Sequence, residues 1–213
     1  MLITIAYDED RSIPVPVLPV AERATWAEQT AAAFAARVGG GDQLRQGVRR
    51  ALDRLTVLAD DDSRLLLLIG ADGAVLAPLL LFVVPHELDE REQADFLWQP
   101  SALLPPTPTV VTTTHLGTGF SSGLAQREDG ADFSTRRWLF FGSGMTVAAL
   151  LGPVAPLGLG LVEAVADALL AESWVEGFVP REDVAKAQRL DALASPAQEG
   201  WPLGAASGGA TAG

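Results

Sequence analysis

The chain of 213 residues contains no cysteine, no asparagine, a single lysine at Lys186, a single tyrosine at Tyr7 and only two histidines, His86 and His115. Without cysteine there can be no disulfide, thiolate zinc site, iron–sulfur cluster or cysteine nucleophile. Two histidines leave few ligands for an imidazole-rich metal centre. Positive charge is also scarce, with Lys+Arg 15 against Asp+Glu 27, a net charge of −12 and a pI near 4.5. Nucleic acid and anionic membrane surfaces both demand clustered cations, so neither is an expected partner, whereas a protein with a basic surface is. Long apolar runs are missing too. Residues 65–85 are interrupted by Gly70-Ala71-Asp72-Gly73, and residues 145–161 carry Pro153 and Pro156. Neither reaches the roughly 20 uninterrupted apolar residues that a membrane-spanning helix needs. The apolar start at residues 1–7 is too short for a signal peptide, has no basic beginning and runs straight into Asp8-Glu9-Asp10. The expected location is cytoplasmic.

What is present is core-forming material, 48% hydrophobic with a mean hydropathy of +0.23. The densest stretch is 133–174. Arg136-Arg137-Trp138-Leu139-Phe140-Phe141 runs into Gly142-Ser143-Gly144 and then a second apolar run, which predicts a hairpin. Leu161, Val162, Val165 and Leu169 then recur at helical spacing, with Glu163 and Asp167 on another side. Earlier, residues 2–7 read as a strand, and Pro14, Pro16 and Pro19 as an extended connector lacking ladder donors. Residues 21–38 predict a helix stopped by Gly39-Gly40-Gly41, and Asp42 a cap for a second helix carrying Leu44, Val48, Leu52 and Leu55. Two strands flank the 70–73 turn, the second of them an edge strand or a bulged one because Pro78 cannot donate to a ladder. Residues 86–108 read as an acidic helix followed by a proline-rich break, the least core-like part of the chain. Residues 109–114, 119–127 and 133–141 predict three more strands, and short connections favour antiparallel pairing.

The expected fold is therefore α+β, an antiparallel sheet of six or seven strands flanked by helices on both faces. It forms a single domain over 1–178 with an insertion at 86–108, then a polar helix at 179–194 and a disordered tail at 195–213.

Motifs that carry chemistry are sparse. Gly119-Phe120-Ser121-Ser122-Gly123 fits the G-x-S-x-G pattern of a serine nucleophile on a sharp strand-to-helix turn, but both histidines precede Ser121, and strand-like residues follow it. A serine hydrolase using Ser121 with His115 is one alternative reading. The spacing Gly117-x-Gly119-x-x-x-Gly123 lacks the βαβ context of a dinucleotide loop. His86 with Glu87 and Glu90 could begin a metal site. Asp60-Asp61-Asp62 lacks the spacer residues of a calcium loop and reads as a polar loop. Arg45, Arg49, Arg50 and Arg54, with Arg64 nearby, form the one concentrated basic patch, read as a solvated helix face. No catalytic residue, metal site or cofactor is assigned. The aromatic end of the acidic helix, Phe96, Leu97 and Trp98, is the expected partner-binding surface.

Taken together, the N-terminal strand, the alanine-rich helix containing Trp26, the Leu/Arg helix, the leucine-rich hairpin, the meander ending in Arg137-Trp138-Leu139-Phe140-Phe141 and the final helix around 162–169 resemble uncharacterised actinobacterial proteins with a PsbP-like α/β/α layout. The codon-driven bias toward Ala, Leu, Gly and Arg fits such a source. The resemblance spans residues 1–175 and carries no residue roles; it implies a protein that binds other proteins rather than one that catalyses. The expected function is a non-enzymatic interaction or accessory protein, with a small apolar-ligand carrier, its cavity between sheet and final helix, as a further alternative.

Overall fold

The computed structural model describes residues 2–70, 73–99, 102–105, 107–181, 189–190 and 192–194. Seven strands form one sheet in the order β2-β3-β4-β8-β7-β6-β5, every pairing antiparallel. They are β2 (Ser12–Val15), β3 (Ser63–Gly70), β4 (Val75–Val84), β5 (Thr109–Thr113), β6 (Gly117–Glu128), β7 (Ala131–Gly142) and β8 (Met145–Val154). A separate pair joins β1 (Ile3–Thr4) to β9 (Trp174–Val175). Among the described residues the helices that cover the sheet include α1 (Val20–Arg37), α2 (Asp42–Leu55), α3 (Glu90–Leu97) and α4 (Pro156–Glu172).

The alternation along each strand sorts the core into layers. Leu66 and Leu68 of β3, Leu79 and Leu81 of β4, and Trp138 and Phe140 of β7 point toward α4, where Val162, Val165, Ala166, Leu169 and Leu170 close over them. Leu65, Leu67 and Ile69 point the other way onto the α1–α2 hairpin through Ala27, Ala31, Phe34, Val48 and Leu52. Further along that same second face, Phe120, Leu124, Leu139 and Phe141 pack under Leu97, Trp98, Leu190 and Ala194. This is the expected α+β sheet with helices on both faces. The antiparallel run β5–β8 follows from tight turns; Asp129 and Gly130, both at positive φ, form the two-residue loop between β6 and β7.

Four local expectations change. The proline-bearing segment before α1 is not only a connector, because residues 12–15 pair with β3 from the sheet edge, where Pro14 can face its missing donor outward. β4 is an interior strand, yet its pairing with β8 starts only at Leu79, so Pro78 lies beyond that ladder. Asp42 is the first residue of α2 rather than its cap, and Gly41 holds the cap position without a side-chain bond. The segment 86–108 is not peripheral. Thr146 accepts from the Leu88 amide and donates to the His86 carbonyl, the buried Gln93 amide donates to the Leu88 carbonyl, and Arg137 donates to the Phe96 carbonyl at 2.6 Å. Asp89 and Glu92 close a capping box at the start of α3. The helix expected at 179–194 lies largely outside the described residues; within its described part Leu190 and Ala194 are buried. The tail at 195–213 lies outside them entirely.

Candidate functional site

Along β6, Ser121, Gly123 and Ala125 stand on the α4 face, and directly opposite them on β7 are Trp138, Arg136 and Ser134. Thr109 of β5 extends the row beyond Ser121, and the Leu103 amide donates to the Ala125 carbonyl at 2.7 Å, so the chain before β5 follows the same edge. Above this floor runs α4, with Leu159, Glu163 and Asp167 four residues apart and therefore on one helical stripe. An open groove of about 380 Å³ lies along this edge, walled by Leu104, Pro105, Thr107, Ser134 and Leu159, the first residue of the stripe. Gly123 lies at its bottom, and nothing stands within 4 Å of where a Cβ would be.

Farther along β7 and the α4 stripe, beyond the residues that line the groove, stands a charge network. Arg136, 16% exposed, ion-pairs with Glu163 and stands 4.0 Å from Asp167. Its Nη2 donates to Ser121 Oγ at 3.1 Å, its guanidinium lies 5.2 Å from the Trp138 ring centroid, and Trp138 Nε1 donates to Asp167 at 3.2 Å. Ser121 and Thr109 share a hydroxyl hydrogen bond of 2.9 Å. One guanidinium faces two carboxylates, leaving one negative charge in excess. Asp167, 45% exposed, opens that excess to solvent. Apolar walls beside a partly desolvated carboxylate suit a cation on an apolar-flanked chain.

The residues singled out in the sequence fall elsewhere or serve other ends. Phe96, Leu97 and Trp98 do not form an exposed docking face. Leu97 and Trp98 are buried, and half-buried Phe96 meets Phe82 edge-on at 6.1 Å and carries the Arg137 guanidinium over its ring. An eight-residue helix cannot bury its cost of ordering unless its apolar end is covered, so the sheet takes it. The Gly119–Gly123 motif is no nucleophile elbow: it sits inside the continuous strand β6, paired on both sides. Ser121 is 1% exposed and bonded to Thr109 and Arg136, while His115 is exposed in the β5–β6 turn. Gly119 is required for packing, because a Cβ there would overlap the Leu139 carbonyl. These observations remove the hydrolase reading.

For the carrier reading, α4 is packed on the sheet, and a cavity of about 560 Å³ beside it is lined by Phe34, Ile69, Leu161 and Val165 together with the charged Asp10, Arg11 and Arg37. His86 pairs with Glu92, and Glu87 accepts from the Gly144 amide and Arg181; among the described residues no group of three His, Asp or Glu could hold a metal ion. The basic patch is partly neutralised by Asp42, Glu28 and Asp53, as a solvated face requires. Asp60 accepts from the Asp62 amide in a polar turn. No helix among the described residues is long and apolar enough to cross a membrane. The Arg136–Glu163–Asp167 network was not picked out from the sequence, although an arginine inside an apolar strand and two acids spaced four apart in an apolar helix were its visible traces.

No protein-family model and no curated protein matches this chain. A solved structure, the crystal structure of LpqN involved in cell envelope biogenesis of Mycobacterium tuberculosis, is similar over 55% of this chain and 79% of that one, at 13% identity and a TM-score of 0.32. A likeness of that size bears on neither fold nor function.

Proposed function

We propose that the protein is a non-catalytic interaction component that holds an extended segment of another protein in the groove between α4 and the β5–β6 edge. The observation that carries the proposal is the pairing of apolar walls (Leu104, Pro105, Leu159) with a network holding one carboxylate in excess. The occupant is a segment with a Lys or Arg next to an apolar residue: the cation meets Asp167 and Glu163, and the apolar side chain lies over Gly123. The overall charge of −12 supports the same class of partner, because it steers basic chains inward and repels acidic ones.

A random peptide library displayed on phage and panned against the full chain tests this. Selected peptides should carry Lys or Arg beside an apolar residue, lose at least about tenfold in affinity to Glu163→Gln or Asp167→Asn, and weaken with salt. Gly123→Val, which fills the groove floor, should abolish binding while the variant stays folded. Selection of acidic or uncharged peptides, or binding indifferent to Gly123→Val, would overturn the proposal.

A further inference from the structure

A second feature lies on the opposite face of the same two strands. Among the described residues, four occluded side-chain polar atoms have no hydrogen-bond partner: Ser63 Oγ, Ser122 Oγ, Thr135 Oγ1 and Arg137 Nε. Three of the four share one place. Ser122 and Arg137 are direct cross-strand neighbours, and Thr135 precedes Arg137 by two residues on the same strand and the same face. Their Cβ atoms are therefore within about 8 Å of one another. Ser122 is 1% and Thr135 5% exposed.

Arg137 Nη1 is satisfied by the Phe96 carbonyl, and the guanidinium lies over the Phe96 ring at 5.6 Å. No carboxylate pairs with it among the described residues. Burial lowers its pKa below the ordinary guanidinium value, a measure of missing solvation. A partly buried cation with an occluded, unpaired Nε and no counter-charge, beside two hydroxyls without partners, is a costly arrangement that native proteins rarely leave unmet. The backbone is also irregular at Thr135. The β7–β8 register shifts between Ser134 and Arg136, so Thr135 has no cross-strand partner on β8.

All three unmet groups can donate a hydrogen bond, and the site already holds one positive charge. We propose that Ser122, Thr135 and Arg137 form an occluded site for a small monovalent anion of chloride size, which supplies the missing counter-charge and locks α3 to the sheet. A water molecule would satisfy hydrogen bonds and leave the charge uncompensated. The anion site stands independently of the groove, which lies across the sheet.

Thermal unfolding of the full chain at constant ionic strength, in sodium chloride against sodium gluconate, is the test. Chloride should raise Tm by about 3–6 °C with a saturating dose dependence. Arg137→Met should lose the dependence but risks unfolding α3, so Thr135→Val and Ser122→Ala carry the decision. Each should remain folded, gain stability in gluconate and respond at most half as strongly to chloride. Crystals soaked in bromide should show an anomalous peak within hydrogen-bond reach of Ser122 and Thr135. Equal Tm in the two salts, an undiminished response in Thr135→Val, or an ordered water with no anomalous signal at the site would each overturn the proposal.

Discussion

Replacing Leu97 with alanine separates a packed helix end from a docking surface. Leu97 is fully buried where α3 meets the sheet, among Phe120, Leu124, Leu139 and Phe141. The substitution removes three carbons, a transfer loss of about 2.4 kcal/mol at about 0.8 kcal/mol per methylene. The floor beneath it is a sheet hydrogen-bonded on both sides and cannot collapse into the space, so a cavity cost adds and the total reaches about 3–4 kcal/mol. For a chain of this size that corresponds to a fall in Tm of about 6–15 °C. Differential scanning calorimetry with urea titration as an independent probe measures it. Phe96→Ala, at a half-buried position, should cost less. A Leu97→Ala protein with its Tm within about 2 °C of the unsubstituted chain would refute the packing argument and return the 96–98 segment to the surface as a binding candidate.

The two flanking glycines of the serine motif should behave oppositely. Gly119→Ala forces its methyl group against the Leu139 carbonyl and should lower stability by about 2 kcal/mol or more in urea unfolding, whereas Gly123→Ala meets open space and should be nearly neutral. Ser121, buried and held by Thr109 and Arg136, should remain unlabelled by a fluorophosphonate probe in the native protein, as followed by intact mass. Asp89→Ala breaks the capping box of α3 and should cost about 1 kcal/mol in the same unfolding assay, with an equal or larger loss for the Asp89 and Glu92 double variant.

Periodicity and turn chemistry determined much of this molecule without any tertiary information. The hairpin around Gly142–Gly144, the helix carrying Val162, Val165 and Leu169, the two helices before residue 56 and the antiparallel order β5–β8 all follow from contacts between near neighbours in the chain. Those signals are local, so they survive in a single sequence. The sequence also excluded cysteine chemistry outright.

Only the tertiary structure decided which surfaces are free. Phe96, Leu97 and Trp98 end an acidic helix, which reads as exposed; they are covered because α3 lies across β6–β8, a contact with residues forty and more positions away. Ser12–Val15 becomes a strand because β3 offers an edge, which a short proline-bearing segment cannot announce by itself. The Arg136 network joins β6, β7 and α4, and the three orphaned groups at Ser122, Thr135 and Arg137 become neighbours only through the β6–β7 register. Composition and spacing record what each segment prefers. Burial and charge balance at a site depend on which distant segments meet there, and that is a property of the packed chain.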